Sequence, residues 1–434
     1  MKKVIYLFSA LSILVFVFSC SEEIDYSQTV TIVDEQDPGT GGGGTGGGGT
    51  GGGGGTGGGG TPIEFPLICD GGFAGSYPCE DYDLVAWMST ASFGATSAAN
   101  DCWGWTDPNN GNEYAIYGLD NGTAFVNISD PENPIYTGKL FSNGSSIWRD
   151  IKVYNNYAYV VSEATGHGMQ VFDLTELRDV DPADAPLDFI ATTTYTGFGN
   201  AHNIVINEDT GFAYAVGTDT YGGGPHFIDL QNPANPVEAG GISSGYSHDA
   251  QVVTYNGPDS DYTGKEIYVG SNAGNVVIVD VTDKQNPVVI SSTDYPNVNY
   301  THQGWFTENQ QYFIVGDELD ELNNGTTTRT IILDFTDLDN PQYHFDYIAP
   351  NSSIDHNGYV KGDNFYLASY TAGMRVFDIS NIENQEMTEI GYFDVHPASD
   401  NAEFDGAWSV YPYFASGNIV ISDIVSGLFI VRKQ

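Results

Sequence analysis

The chain has 434 residues, of which 57 are acidic and 13 are basic, so its formal net charge at pH 7 is −44. Such a charge argues against binding to nucleic acid and against direct contact with an anionic membrane, because both are negatively charged. Solubility in a salty medium explains it most simply, and divalent cations that bridge surface carboxylates are a second explanation.

Residues 1–19 have the pattern of a signal peptide. Two lysines precede an apolar run, Val4–Phe18, and a serine stands directly before Cys20. Val17–Cys20 resembles a lipobox, which implies cleavage before the cysteine and attachment of lipid to its sulfur. The alternatives are an ordinary secretory signal and a membrane helix, but the run is short for a span and no charged stop-transfer flank follows. Residues 21–23 resemble the acidic tag of Bacteroidetes-type surface lipoproteins, so we expect a lipid anchor in the cell outer membrane that faces the extracellular side.

Residues 20–62 are expected to form a flexible tether. Gly39–Thr61 contains only Gly and Thr. It matches G-x-G-x-x-G trivially, but no strand precedes it and no helix follows, which excludes a nucleotide site. The scaling for Gly-rich chains gives an end-to-end distance of about 25–30 Å.

Residues 63–81 form a lead-in that we expect to be pinned by a disulfide. Cys69 and Cys79 bracket a short loop in a chain predicted to be exported, and such cysteines commonly pair. Cys102 is left over and is predicted to be buried as a small apolar residue.

A short apolar sequence motif then occurs seven times. The copies are GTAFVNIS, GMQVFDLT, PHFIDLQ, GNVVIVDVT, RTIILDFT, GMRVFDIS and GLFIVRKQ, which begin at Gly122, Gly168, Pro225, Gly274, Arg329, Gly373 and Gly427. Alternating or continuous apolar residues with β-branched and aromatic side chains predict a strand in each copy. A period of roughly fifty residues is typical of β-propeller blades.

Residues 82–434 are therefore predicted to be an all-β, seven-bladed β-propeller of four-stranded antiparallel blades. After His302, the segments QGWFTE, QYFIVGD, RTIILDF and PQYHFDYI give four strands of one blade. The last copy lacks a fourth strand, and Tyr82–Met88 (YDLVAWM) can supply it by pairing with the C-terminal blade. This closure would remove the exposed sheet edges, and we expect a monomer.

Half of the eight histidines recur at one position of the repeat, the start of the first strand of four consecutive blades. They are His202, His248, His302 and His356. First strands line the central channel of a propeller, so the four imidazoles are expected to converge at one channel mouth. Imidazole suits Fe, Cu and Zn, which makes these residues candidate metal ligands. Cys102-Trp103 and Arg149-Asp150 are predicted to fill the same position in blades 1 and 2.

The loops between second and third strands should lie on the same face as these histidines. They carry further candidate site residues, namely Glu163, His167, Asp219, Asp317, Glu318 and Asp423. This acidic fringe could bind cationic ligands or Ca²⁺. Four tyrosines are expected near the same face and could supply stacking surface: Tyr221, Tyr246, Tyr300 and Tyr370.

A structural role for the histidines is the alternative. Duplication of one blade would copy a structural histidine without any metal, and such a residue could satisfy strand-end amides. For His226, His344 and His396, which lie elsewhere in the repeat, a structural or surface role is expected.

Several segments resemble the choice-of-anchor B family, exported proteins built on LVIVD-type propeller repeats. They include the stretch from Asp101 to Pro134, WRDIKVYNNYAYVVSEATGHGMQVFDL and GAWSVYPYFASGNIVISDI. The resemblance covers the chain from about residue 65 to its end. It implies display outside the cell but no established activity.

Two functions remain open. The first is a surface-displayed binding module for an unknown extracellular glycan, protein or small molecule. The second is a metal-dependent enzyme with a four-histidine site, in which Asp317, Glu318 or Glu163 would act as base. That arrangement is similar to the iron site of carotenoid-cleaving oxygenases, which also use a seven-bladed propeller, although the sequences do not otherwise match.

Overall fold

The structure, a computed structural model, describes residues 64–434. The predicted signal peptide (residues 1–19), Cys20 and the tether (residues 20–62) lie outside the described residues. Among residues 64–434, no helix is long and apolar enough to cross a membrane.

Seven sheets, each built on four antiparallel strands, form the predicted seven-bladed propeller. Three strands precede the first complete blade: β1 (Phe73–Ala74), β2 (Tyr77–Glu80) and β3 (Tyr82–Ser89). Blade 1 contains β4 (Ala99–Thr106), β5 (Glu113–Leu119), β6 (Gly122–Asn127) and β7 (Ile135–Phe141). Blade 2 contains β8 (Arg149–Tyr154), β9 (Tyr157–Ser162), β10 (Met169–Asp173) and β12 (Thr193–Tyr195), and β11 (Leu187–Phe189) lies between its last two strands in the chain.

The next four blades follow the chain in strict order. Blade 3 contains β13 (Asn203–Asn207), β14 (Phe212–Val216), β15 (His226–Asp229) and β16 (Val237–Gly241). Blade 4 contains β17 (Asp249–Thr254), β18 (Glu266–Ser271), β19 (Val276–Asp280) and β20 (Val288–Thr293). Blade 5 contains β21 (Thr301–Phe306), β22 (Tyr312–Asp317), β23 (Arg329–Asp334) and β24 (Gln342–Ile348). Blade 6 contains β25 (Gly358–Lys361), β26 (Asn364–Ser369), β27 (Gly373–Asp378) and β28 (Thr388–Phe393).

Blade 7 closes the ring with the N-terminal strand, as predicted. Its own strands are β29 (Ala407–Tyr411), β30 (Asn418–Asp423) and β31 (Gly427–Lys433). The fourth strand is β3, which pairs antiparallel with β31 from Tyr82 opposite Lys433 to Ser89 opposite Gly427. The two ends of the propeller thereby stabilise each other through main-chain hydrogen bonds.

Short helices interrupt the strands. Within residues 64–434 there is one α-helix, α1 (Asp320–Asn324), and the 3-10 helices span Thr90–Phe93, Leu174–Asp179, Tyr221–Gly223, Ser260–Tyr262 and Ile382–Asn384.

The apolar core is divided among the interfaces between blades. The described part of the chain has seven buried clusters, and each joins two neighbouring blades around the ring. In the cluster between blades 3 and 4, for example, Tyr214 and Phe227 pack with Val252 and Tyr268. Every blade thus buries both faces, which explains why the third strands are apolar on both sides.

Two additions extend the blades at the perimeter. The lead-in strand β2 pairs with β28, and β1 pairs with β2, which makes blade 6 a six-stranded sheet. A disulfide joins Cys69 to Cys79 in this segment. Strand β11 leaves blade 2 and pairs in parallel with β7 of blade 1. Cys102 is a free, fully buried cysteine.

Candidate functional site

The four histidines of the repeat form an arc at one mouth of the channel. His202 and His248 directly precede β13 and β17, His302 is the second residue of β21, and His356 lies two residues before β25. The centroids of neighbouring imidazole rings are 4.1, 4.2 and 4.3 Å apart in chain order. His248, His302 and His356 are buried and His202 is partly buried. Trp408 of blade 7 extends the arc, with its ring centroid 4.9 Å from that of His356.

Hydrogen bonds fix the rings by their Nδ1 atoms. Nδ1 of His248 donates to the carbonyl of His302 at 3.2 Å, and Nδ1 of His356 donates to the carbonyl of Trp408 at 2.5 Å. Each acceptor belongs to the next blade. Nδ1 of His202 instead contacts Oε1 of Glu163 at 2.6 Å. Because Nδ1 carries the proton in His248 and His356, their Nε2 atoms hold the lone pair.

Glu318 lies beside the middle of the arc. Its Oε1 is 3.7 Å from Nε2 of His302 and 3.7 Å from Nε2 of His356. One ligand atom each from His248, His302 and Glu318 lie within 4.8 Å of one another. Nδ1 of His302 is buried and has no hydrogen-bond partner among the described residues. Three potential metal ligands thus converge, and the ring of His302 still lacks a hydrogen-bond partner for its Nδ1 among the described residues.

A small cavity adjoins the arc. Its volume is about 10 Å³, and all four histidines line it together with Trp148, Arg149, Asn203, Asn357 and Trp408. This is the space of about one water-sized sphere. The mouth can therefore hold an ion or a water molecule, but the present arrangement has no room for a larger compound.

The electrostatics of the arc favour neutral imidazoles in its middle. Burial and the neighbouring histidines lower the pKa values of His248 and His302 well below the ordinary value. Burial lowers the pKa of His356 to about 3. Burial also acts against a charge on His202, but the hydrogen bond and charge of Glu163 outweigh it and raise the pKa of that imidazole. Burial raises the pKa of Glu318 to about 7.

Two tyrosines of the predicted fringe support the arc. The ring centroid of Tyr300 is 5.4 Å from that of His248, and the centroid of Tyr370 is 4.5 Å from that of His356. The hydroxyl of Tyr370 donates to Oε1 of Glu318 at 3.1 Å. The other two behave differently, since Tyr221 donates to Glu238 and Tyr246 is exposed.

Arg149 lines the same cavity but is held away from the carboxylates of the channel. Its Nε donates to the carbonyl of Leu119 at 3.0 Å, and its Nη2 donates to Oγ of Ser142 at 2.7 Å. Its Nη1 donates to Nε2 of His167 at 3.0 Å. The arginine is 2 % exposed, and its three hydrogen-bond acceptors are neutral groups.

The remaining fringe residues brace loops. Asp219 accepts from the N–H of Gly199. Asp317 accepts from two backbone N–H groups, those of Asn299 and Tyr300, at 2.7 Å each. Asp423 accepts from two backbone N–H groups of the following turn. Of the predicted acidic fringe, only Glu163 and Glu318 contact the histidines.

A buried ionic layer lies one step further into the channel. Nζ of Lys152 contacts Oδ1 of Asp150 at 2.5 Å and Oδ2 of Asp101 at 3.8 Å. Asp150 therefore belongs to this layer and not to the histidine arc. Burial raises the pKa of Asp101 well above its usual range, and burial raises the pKa of Asp249 to about 7. Sequence reasoning missed Lys152, although its i, i+2 spacing from Asp150 on one strand signals a shared face.

Blade 1 fills the histidine position with Asn100, so the prediction of Cys102-Trp103 there is wrong. Strand β4 has an irregularity between Ala99 and Cys102, and β21 has the equivalent one between Thr301 and Gly304. Aligning β4 with β21 at these irregularities gives Asn100 in blade 1 the position that His302 has in blade 5. A bulge inserts one residue into a strand, and simple counting along the sequence cannot detect it.

A second acidic group lies apart from the channel mouth. Carboxylate oxygens of Asp259, Asp337 and Asp339 are close enough to surround an ion. Each carboxylate already accepts a hydrogen bond, from Leu338 N–H, Asp339 N–H and the hydroxyl of Tyr262 respectively. This group therefore braces two turns.

Comparisons with known proteins bear on the fold and the repeats. The LVIVD repeat family model matches residues 147–166 and 263–294, which lie in blades 2 and 4. No curated protein sequence matches the chain. Hydrazine synthase of Kuenenia stuttgartiensis is similar in structure, with 13 % identity, a TM-score of 0.51 and coverage of 71 % of this chain and 89 % of the other. A functionally unknown protein from Desulfotomaculum acetoxidans DSM 771 has 12 % identity and a TM-score of 0.50, with 74 % and 94 % coverage.

At these identities, the solved structures support the fold alone. The family match adds the identity of the repeat, and its two segments coincide with strands of separate blades. The chain is therefore a seven-bladed β-propeller protein that carries LVIVD repeats, an architecture suited to a binding or interaction module.

Proposed function

We propose that this protein is a surface-displayed, lipid-anchored binding module whose channel mouth holds one transition-metal ion. The observation that carries the metal assignment is the convergence of His248, His302 and Glu318, whose ligand atoms lie within 4.8 Å of one another. His356 is close enough to join them, since its Nε2 is 3.7 Å from Glu318.

The hydrogen bonds of the imidazoles support this assignment. Metal-ligating histidines usually donate their second ring N–H to a backbone carbonyl or a carboxylate, which fixes the tautomer and the ring direction. His248 and His356 donate to carbonyls, and His202 pairs with Glu163. A set of imidazoles with one carboxylate suits Zn, Fe or Cu and is poorly suited to Ca²⁺, which prefers oxygen ligands.

The size of the cavity favours binding over catalysis. A volume of about 10 Å³ admits an ion but no substrate. A metal-dependent enzyme is the second candidate, and one observation favours it: Glu163, which is not among the three converging ligands, has its Oε1 2.6 Å from Nδ1 of His202, where a carboxylate could act as base beside the arc. That function would require the mouth to open.

Elemental analysis tests the metal assignment. The full chain is purified without chelator, loaded separately with Zn²⁺, Fe²⁺ or Cu²⁺, and dialysed before the metal content is measured. We expect about one equivalent of one of these metals to be retained. His302→Ala and Glu318→Gln should each lower the retained metal at least tenfold, in line with the loss of a ligand.

His344→Ala is the matched control. This histidine stacks on Tyr312 and donates to the carbonyl of Ile382, far from the arc in the repeat. It should leave the metal content unchanged. Retention below about a tenth of an equivalent by the unaltered chain would refute the metal assignment, since a metal site needs its ion.

Surface display rests on the sequence pattern of residues 17–23 and on the resemblance to the choice-of-anchor B family. Cys20→Ser should release the protein from the membrane fraction, because no other residue can carry the lipid of a lipoprotein signal. Protease added to intact cells should degrade the unaltered protein. Membrane retention of the Cys20→Ser variant, or full protection from protease, would contradict this localisation.

A further inference from the structure

A large funnel opens at the channel mouth opposite the histidine arc. Its volume is about 680 Å³, within the range of sites for small molecules. The histidines stand at the beginnings of the first strands, whereas residues near the ends of those strands line the funnel, among them Trp105, Tyr154, Glu208 and Phe306. The two mouths are thus separated by the ionic layer around Lys152.

Aromatic side chains form much of the funnel wall. Trp103, Trp305, Tyr411 and Tyr413 line it and are only partly buried. Neighbouring rings hold them in place, since the centroids of Trp103 and Tyr411 are 5.1 Å apart and those of Trp305 and Tyr359 are 4.9 Å apart. Such fixed rings offer flat apolar faces with little loss of conformational entropy on binding.

Gly104 permits this close packing. A Cβ atom at this position would lie 2.1 Å from the ring of Tyr411. The absence of a side chain lets the tyrosine cover the strand and face the funnel. The aromatic wall is therefore built into the first strands themselves.

The charges of the funnel favour a neutral occupant. Lys152 lies at its inner end, but its charge is balanced by Asp150 at 2.5 Å, and its Nζ already takes the cation–π position over Trp103, 4.5 Å from the ring centroid. Glu208 and Glu308 are exposed at its outer part and repel an anion. A neutral occupant avoids this repulsion and does not need the ring face that Lys152 covers.

Polar groups between the aromatic rings can recognise hydroxyls. Gln251 lines the funnel and accepts the N–H of Phe306 through Oε1 at 2.7 Å, which leaves its NH₂ group to donate. Asn155 and Thr307 also line the wall. Aromatic faces stack against the C–H face of a sugar ring, and carboxylates and amides bind its hydroxyls.

We propose that the funnel binds a neutral saccharide of one or two rings, an assignment that rests on the binding role proposed above and names a ligand class for it. The site is independent of the metal centre, because the ionic layer separates the two mouths.

Tryptophan fluorescence and calorimetry test this proposal. The full chain is titrated with the neutral disaccharides maltose, cellobiose, xylobiose and chitobiose, and in parallel with choline and glucuronate. At least one neutral saccharide should bind saturably and shift the fluorescence. Trp305→Ala should weaken that binding at least tenfold, while Trp305→Phe, which keeps a ring in the wall, should weaken it less. Thermal unfolding checks that both variants fold.

Trp87→Phe is the matched control. This indole lies on the closing strand and donates to the carbonyl of Ser426, outside the funnel. It should leave saccharide affinity unchanged, as should His302→Ala and treatment with chelator. Binding of choline or glucuronate in place of every saccharide would overturn the proposal, as would no binding at all or equal affinity in Trp305→Ala. Failure of the unaltered chain to retain metal, with saccharide binding intact, would refute the metal centre alone.

Discussion

Four imidazoles whose neighbouring centroids are 4.1–4.3 Å apart cannot all be positively charged. Positive charges at such distances repel strongly in a buried site. The structure resolves this by pairing only His202 with a carboxylate, Glu163, and by keeping His248 and His302 neutral through burial. Neutral imidazoles have a free lone pair, so the same electrostatics that prevent protonation prepare the arc for a metal ion.

The arc could be predicted from the sequence because residues that repeat with the blade period must face the same axis. The pairing of Glu163 with His202 and the position of Glu318 depend on loop conformations that periodicity does not encode. The ionic layer was missed because Lys152 has no counterpart in the other repeats. Its burial becomes understandable only when Asp101 and Asp150 of two different blades are seen to meet.

His167 predicts a pH dependence of stability at the single-residue level. Burial and the charge of Arg149 lower its pKa to about 4. The unfolded chain takes up a proton near pH 6.5, and the folded chain does so only near 4. The contribution of the neutral ring is therefore fully present above pH 6.5 and is lost as pH falls through 4, by about 3 kcal/mol.

Denaturant unfolding between pH 4 and 8 measures this effect. His167→Gln keeps an acceptor for Arg149 but cannot titrate. The free energy of unfolding should fall less steeply with acid in the variant than in the unaltered protein. Identical pH dependence of the two proteins would contradict this account of His167.

At the level of elements, each third strand is predicted well because both of its faces are buried. A continuous run of β-branched residues, such as Val276–Asp280, predicts a strand that is buried on both faces. The closing strand was predicted from a missing partner in blade 7. The pairing of β11 with β7 of blade 1 was not predicted. This strand has three residues, of which Leu187 and Asp188 are exposed, so its sequence has no alternation of buried and exposed residues that would identify it.

The closing seam predicts a strong effect at Gly427. Its φ is +130°, and a Cβ there would lie 2.1 Å from the carbonyl oxygen of Met88 in β3. Gly427→Ala should therefore lower the free energy of unfolding by about 3 kcal/mol or more, because it forces the two strands apart.

Gly417→Ala is the comparison that isolates this contact. Gly417 also has a positive φ, +82°, but no atom lies within 4 Å of the position of its Cβ. Its substitution should cost about 1 kcal/mol, from backbone strain alone. Equal destabilisation of the two variants in thermal or denaturant unfolding would contradict the claim that the contact with Met88 adds to the cost of substituting Gly427.

At the level of the whole molecule, few basic side chains are exposed: of the eleven in residues 64–434, four are buried, six are partly buried and one is exposed. Lys139, Arg149, Lys152 and Arg329 are all buried. The surface of a chain with net charge −44 is therefore left strongly acidic. This charge keeps the protein soluble but opposes compactness through self-repulsion.

Salt should relieve this repulsion. Raising NaCl from about 0.01 M to about 0.1 M shortens the screening length from about 30 Å to about 10 Å. We expect the Tm to rise by a few degrees over this range, as measured by differential scanning calorimetry. A lower Tm at the higher salt concentration would mean that attractive ion pairs outweigh the acidic surface.

The closed ring gives the channel two unlike mouths, one with buried imidazoles and one with a wide aromatic funnel. The central claim is that the first mouth binds a metal. Anomalous X-ray diffraction from crystals of the metal-loaded protein tests it most directly. The account predicts one strong peak bonded to Nε2 of His248, Nε2 of His302 and a carboxylate oxygen of Glu318, at about 2.0–2.2 Å. A peak only at surface carboxylates such as Asp259, with no density at the arc, would contradict it.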